Sequence, residues 1–229
     1  MLDESTIEGL TDEDTLTEVA VSRLVDDILA GTLAPGQKLL IAKLRQTYQM
    51  GATPLREALS RLCSLGFVRN ETRRGFRVTP VSLADLRDIT LVRTTIETAA
   101  LRQAIELGDD EWEVGLIAAF ARLERTAQRL GTETQQSEGA YEPAHKAFHT
   151  ALLAGCGSPR LLDLHSLYYD QAKRYRLFTM RGVASPEDFM NEHRKLMERT
   201  LGGDADGACA MLASHLHLTL EAASAKLPA

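Results

Sequence analysis

Residues 33–80 read LAPGQKLLIAKLRQTYQMGATPLREALSRLCSLGFVRNETRRGFRVTP, and this stretch decides the fold. Pro35 and Gly36 mark a turn. Leu39, Ile41, Leu44 and Tyr48 then space their apolar groups for a short helix with one buried face. Gly51 is expected to break that helix. Thr53 is expected to cap the next one, with Pro54 at its first position, where a missing N–H costs nothing and the fixed φ is already helical. Leu55, Ala58, Leu59, Leu62 and Leu65 form the buried stripe of this second helix, which leaves Arg56, Ser60 and Arg61 on other faces, and Gly66 ends it as a C-cap. Phe67-Val68, the polar turn 70–72, the pair Arg73-Arg74, Gly75 and Phe76-Arg77-Val78 predict a two-stranded hairpin with a basic tip. A helix pair followed by a basic hairpin is a winged helix-turn-helix, whose second helix reads the major groove of double-stranded DNA.

The charge distribution supports that reading. Residues 15–80 carry ten Lys or Arg against five Asp or Glu, a balance of +5, whereas the whole chain has 26 against 32. The first fourteen residues hold six acids and no base, and residues 81–229 hold 16 bases and 21 acids, a balance of −5. A positive module on an acidic body is the electrostatic footprint of nucleic-acid binding, which the overall pI near 5.6 conceals. Candidate DNA contacts are Thr53, Arg56 and Arg61 on the second helix and Arg73, Arg74 and Arg77 on the hairpin.

With 229 residues and 44% hydrophobic content, the chain is long enough for two small domains with separate cores. No run of about 18 apolar residues occurs, and the N-terminus is acidic rather than basic then apolar. These features predict a soluble, cytoplasmic protein with no membrane partner. Cys63, Cys156 and Cys209 are odd in number and far apart, and are expected to stay reduced. The expected domains are an acidic arm over 1–14, the winged helix-turn-helix over 15–80 and a helical domain over 81–229.

From Leu83 onward the apolar spacing is helical. Six helices are predicted, over 82–108, 110–131, 142–154, 159–180, 186–201 and 204–226, with Gly or Pro punctuation between them and a polar loop over 132–139. The fold class is therefore mainly α, a winged helix-turn-helix followed by an all-α six-helix bundle. All six histidines fall in the last 85 residues. His145 and His149 are four apart on the apolar face that holds Phe148 and Leu152. His193 interrupts the stripe of Phe189, Met190, Leu196 and Met197, and His215 that of Met211, Leu212 and Leu218. A lone histidine on such a face is usually a satisfied core residue. Histidines on the facing sides of three helices point instead to a divalent transition metal, zinc or nickel, held inside the bundle by neutral imidazoles.

Two stretches resemble a known family. PGQKL, TPLREALSRL, LGFV and RRGFRV look like the DNA-binding domain of GntR-superfamily transcription regulators, with the motifs in family order. The resemblance implies that Arg56 is the recognition-helix arginine and that Arg73, Arg74 and Arg77 form the basic wing. Gly51 and Ala52 stand where that family usually has a Ser or Thr and an Arg. Further on, FH at 148–149, EH 44 residues later and a histidine 22 beyond that resemble the FCD ligand-binding domain of the FadR branch. The metal-containing members use an aspartate and three histidines. The resemblance implies His149, His193 and His215 as ligands, with His145 in the place of the aspartate, and leaves His165 and His217 out. ELGDDEWE, HKAFHTALLAGCGSPRLL and YDQAKRYR look most like regulators of the carbon-starvation-induced, glutarate-responsive type. The resemblance also implies a homodimer formed through the helical domain.

In the first helix of that domain, Arg93 and Glu97 share the otherwise apolar face of Leu86, Ile89, Ile96, Ala100 and Ala104. A buried charge needs a partner. Two readings follow. One is an internal Arg93–Glu97 salt bridge. The other is that Arg93 receives a small carboxylate effector beside the metal, with Glu97, Tyr168 and Arg174 around it and Gln171 and Tyr175 lining the same cavity. The expected function is a ligand-responsive regulator, a repressor, that binds an operator as a dimer. A metal-dependent enzyme, with Glu142 or Glu192 as base, and a constitutive DNA-binding protein with a structural metal are the alternatives.

Overall fold

Ala20, Leu24 and Ile28 recur at four-residue intervals and are buried, which makes residues 12–29 helical as α1 (Asp12–Leu29). The computed structural model describes residues 12–71, 74–130, 138–179 and 186–224. The acidic stretch expected as an arm over 1–14 is thus helical at its last three residues, and 1–11 lie outside the described residues. The chain divides into two compact units, Met1–Val81 and Ser82–Ala229.

In the first unit, α1 is followed by β1 (Lys38–Leu39), α2 (Ile41–Tyr48), α3 (Ala52–Ser64), β2 (Val68–Glu71) and β3 (Gly75–Val78). Four details differ from expectation. Leu39 belongs to β1 rather than to the helix stripe, because the turn at 35–37 brings it opposite Phe76 of β3. The sheet therefore has three strands in the order β1-β3-β2, antiparallel throughout. The break after α2 comes at Gln49, left-handed at φ 55, not at Gly51. Gly51, extended at φ −63 and ψ 164, is the N-cap of α3, so Thr53 and Pro54 lie inside its first turn. Pro54 is tolerated there because the amides of a first helical turn have no intrahelical acceptor. The other end of α3 is as expected. Gly66 takes φ 77, its N–H donates to the Cys63 carbonyl at 3.2 Å, and the Phe67 N–H reaches the Leu62 carbonyl at 3.0 Å, a Schellman closure. Leu24, Leu55, Leu59, Leu62, Phe67, Val68 and Val78 form the core.

The second unit holds α4 (Leu83–Leu107), α5 (Asp110–Leu130), α6 (Glu138–Leu153), α7 (Pro159–Thr179), α8 (Pro186–Leu201) and α9 (Ala205–Ser224), with a 3₁₀ turn at Ala154–Cys156. Ser82 caps α4 by accepting the Asp85 N–H on its hydroxyl, 3.1 Å away. Helix α6 begins four residues before its expected start and carries Pro143 inside it. The polar loop expected over 132–139 is shortened accordingly, and 131–137 lie outside the described residues. Helix α4 is the axis of the unit and packs against α7 and α9, while α5 packs against α6 and α8. Leu101, Leu116, Leu123, Phe148, Leu152 and Leu212 are fully buried between them. The three cysteines are free.

The α4–α5 corner depends on Gly108. The Trp112 ring lies over it, anchored by its indole N–H donating to the Ala151 carbonyl at 2.9 Å. A Cβ at 108 would sit 2.0 Å from the ring and 2.5 Å from the Ala104 carbonyl oxygen. We predict that Gly108→Ala destabilises the helical unit by about 1–3 kcal/mol, as overpacking does. Urea denaturation followed by Trp112 fluorescence measures it, and an unchanged midpoint would contradict the packing.

Candidate functional site

Helix α6 carries His145 and His149 one turn apart, α8 supplies His193 and α9 supplies His215. One ligand-capable atom from each lies within 4.8 Å of the other three. Nε2 of His145 is 3.0 Å from Nε2 of His193 and 3.2 Å from Nε2 of His149. Nitrogens bound to one ion at about 2.0–2.1 Å are about 3.0–3.4 Å apart, so the donors are spaced for a shared ion. The far sides of the rings agree. His193 donates from Nδ1 to the Phe189 carbonyl at 2.7 Å, and Nδ1 of His215 faces the Glu192 carboxylate at 3.5 Å. Those partners leave Nε2 for the centre and orient the rings. Nδ1 of His145 pairs with the Tyr169 hydroxyl at 2.6 Å. His145, His149 and His193 are buried to within 2% of full burial, and His215 is slightly more open. Burial, reinforced by the neighbouring imidazoles, holds His145 and His149 far below the usual histidine range and brings His193 down to about 3. These three rings are therefore neutral and available as ligands at pH 7.

A second buried polar cluster lies against the first. Arg93 and Glu97 form the internal pair, with Nε–Oε1 at 2.7 Å and Nη2–Oε2 at 3.3 Å. His165 adds a third member, its Nδ1 3.2 Å from Glu97. Arg176 pairs with Glu142, at 3.0 and 3.4 Å. Between them stands the Tyr169 ring, with Arg176, Arg93 and Lys146 at 4.4, 5.2 and 5.7 Å from its centroid. His165, Tyr169, Ala172 and Arg176 share the inward face of α7. Tyr168 is one residue out of step with that face and half-buried. Arg174 and Tyr175 are buried but turn toward the start of α4, where Arg174 is 3.5 Å and Tyr175 2.5 Å from Asp85. The sequence-predicted pair Tyr168 and Arg174 is thus replaced at the histidines by Tyr169 and Arg176. Counting i+4 and i+11 from His165 would have found both.

In the first unit, Thr53, Arg56, Glu57, Ser60, Arg61 and Ser64 are the exposed residues of α3. Glu57 accepts a hydrogen bond from Thr17 at 3.0 Å, and Arg61 pairs with Glu18. That edge of α3 faces α1, so Arg61, expected as a DNA contact, is engaged by Glu18, and Thr53, Arg56 and Ser60 make up the other edge. Arg74 is exposed at the hairpin tip, whereas Arg77 is half-buried and committed to Glu71 at 3.0 Å and the Gly36 carbonyl at 2.5 Å. Arg73 lies outside the described residues. Strand register puts Lys38, Arg77 and Arg69 in one row on the outer sheet face, and that row adds Lys38 and Arg69 to the basic surface.

The comparisons agree with both units. Residues 16–78 match the family model "Bacterial regulatory proteins, gntR family" and residues 88–218 match the FCD domain. This chain belongs to the GntR family of transcription regulators, with an FCD domain. It is 34% identical over 205 residues to the HTH-type transcriptional regulator BphR of Paraburkholderia xenovorans (strain LB400), covering 90% of this chain and 84% of that one. It is also 34% identical over 197 residues to the HTH-type transcriptional repressor GlaR of Escherichia coli (strain K12), covering 84% and 89%. Among solved structures it superposes on E. coli McbR/YncC with TM-score 0.70 at 20% identity, over 90% of this chain and 95% of that one. A GntR regulator from Rhodococcus sp. RHA1 gives TM-score 0.71 at 18% identity, over 93% and 100%. The GntR-family chain is a DNA-binding regulator and not an enzyme. Among the described residues no helix is long and apolar enough to cross a membrane.

The Glu97 carboxyl generates a pH prediction. Burial pushes it up, but the Arg93 guanidinium and His165 beside it prevail and bring it down from 4.5 to about 2. A folded-state value below the unfolded one contributes stability that is present above pH 4.5 and lost as pH falls toward 2. Glu97→Gln, which leaves Arg93 buried without its counter-charge, is expected to cost about 3–5 kcal/mol at pH 7. Urea titrations at a series of pH values should show this penalty shrinking between pH 4.5 and 2. A penalty independent of pH would contradict the ionised pair.

Proposed function

We propose that this regulator is a dimeric repressor whose DNA affinity responds to a small carboxylate bound beside a transition metal held by His145, His149, His193 and His215. The observation that carries the reading is the convergence of four imidazoles from three helices, beside the paired cations around Tyr169. Imidazole donors suit zinc or nickel. A bound divalent ion would supply a 2+ charge and an open coordination position there. The surrounding charges offset it little: the Arg93–Glu97 and Arg176–Glu142 pairs each cancel, which leaves Glu192, on the far side of His215, as the nearest unpaired carboxylate named here. An anion is the ligand that such a site favours, because a divalent charge would stand there among neutralised pairs, Lys146–Asp170 included. The resemblance to glutarate-responsive regulators points the same way, toward short mono- and dicarboxylates.

On the DNA side, Thr53, Arg56 and Ser60 present the edge of α3 that reads base edges in the major groove. Arg74 and its neighbour Arg73, with Lys38 and Arg69, hold phosphates. A dimer reads a two-fold operator, and the carboxylate shifts the population between arrangements that match or miss the half-site spacing.

Two experiments test the reading. Arg56→Ala should weaken operator binding by about 1–3 kcal/mol in a mobility-shift titration, with carboxylate affinity unchanged; undiminished operator affinity would displace α3 from the groove. His193→Ala should lose the metal while the first unit stays folded. In a thermal-shift screen of C4 to C6 acids, wild type should be stabilised by a specific acid, and both a chelator and His193→Ala should abolish that stabilisation. A metal that stabilises the fold while no acid shifts the melt would make the ion structural.

A further inference from the structure

Helix α5 buries Leu116, Phe120, Leu123 and Ala127 on its inner side. On its outer side Val114 is 65% and Ile117 48% exposed, and with Ala118 and Ala121 they make one stripe at helical spacing. A singly exposed apolar side chain is ordinary, whereas a contiguous stripe marks an interaction surface. Leu91, equally exposed on α4, has only Arg87, Asp88, Thr94 and Thr95 as helical neighbours. Asp110 and Glu111 precede the α5 stripe and Arg122 and Arg125 follow it, all four exposed. Acids at the start of a helix and bases at its end match the helix dipole, so this order by itself calls for no partner. The apolar middle does, and so does Gly115. A glycine inside a helix is destabilising, yet a Cβ at 115 would meet nothing within 4 Å, so its own unit does not require one. Gly115 lies at the edge of a groove of about 420 Å³ that Leu107, Glu111 and Trp112 also line.

This face is complementary to itself. Resting on the dimer proposed above, we infer that two copies of this chain pair through α5, antiparallel, about a two-fold axis between Ile117 and Ala118. In that register each Ile117 is level with the partner's Ala118, each Val114 with the partner's Ala121 and each Asp110 with the partner's Arg125. Glu111, Gly115, Ala118 and Arg122 lie on one flank of the stripe, and in an antiparallel pair like flanks face each other. The partner's Arg122 therefore falls between Glu111 and Gly115, at the mouth of the groove. There its guanidinium finds the Glu111 carboxylate and the space that Gly115 leaves. On the other flank Glu113 approaches the partner's Glu124, a carboxylate that Arg194 of its own chain neutralises. The pairing covers the apolar stripe and brings each helix end against opposite charge, every contact occurring twice. One helix face of roughly 30 Å gives an interface at the small end of the specific range, so the association is reversible and depends on concentration.

Sedimentation velocity of the full chain over a series of concentrations tests the register by exchanging charges. Asp110→Lys with Glu111→Lys makes both ends of the face basic, and Arg122→Glu with Arg125→Glu makes both acidic. Wild type should be a dimer that dissociates on dilution. Each double variant alone should self-associate about 10- to 100-fold more weakly, because the exposed ion pairs across the two-fold become repulsions. An equimolar mixture of the two should regain the dimer, since a basic face then lies on an acidic one, and that recovery shows both variants to be folded. Variants that dimerise as wild type does overturn the inference and leave the dimer standing on another face. Weakened association with no recovery in the mixture overturns the antiparallel register. A wild-type chain that stays monomeric at every concentration overturns the dimer reading itself, and leaves the stripe to a different protein.

Discussion

An ionised carboxylate removed from water survives only beside a cation, and Glu97 is fully buried between Arg93 and His165. This constraint organises the helical unit. Arg93 and Glu97 come from α4, His165 and Arg176 from α7, and Glu142 from α6, so three helices cannot shift past one another without separating a buried pair. Such pairs add little net stability compared with apolar side chains of the same size. Their effect is on specificity of packing: they fix the rotation of α7 so that Tyr169, rather than Tyr168, meets the histidines.

That rotation connects the charged layer to the imidazole cluster. Tyr169 touches His145 through its hydroxyl and the three cations through its ring, and it is the shared member of both groups. The resemblance to FCD domains implies an aspartate where this chain has His145. An aspartate would ligate with a charge already in place, whereas an imidazole must hold the correct tautomer, and its partner therefore matters more. The exchange also leaves the donor set neutral, which increases the demand for an anionic ligand.

Much of this was legible in the sequence, and the failures have physical causes. The two helices, Gly66 and the six later helices follow from local spacing and capping, which depend on residues within a turn or two of one another. The histidine cluster was legible because each ring interrupts an apolar stripe, and stripes of facing helices must converge. The third strand was not, because Lys38 and Leu39 are strand only through a partner nearly forty residues away. Arg61 and Arg77 read as DNA contacts because sequence shows their charge, but not the Glu18 and Glu71 carboxylates that engage them. Thr53 was expected to cap α3 from its side-chain chemistry, yet the backbone of Gly51 already provides the turn. The choice of Tyr168 over Tyr169 is an error of one residue, or about 100° of helix rotation, and it is settled only by what α7 packs against.

The most direct test of the account is X-ray absorption at the metal edge of the protein loaded with one equivalent of zinc. The account predicts a nitrogen shell at about 2.0–2.1 Å with the multiple-scattering pattern of several imidazoles. A shell dominated by oxygen or by sulfur, or no stoichiometric zinc after dialysis, would contradict it.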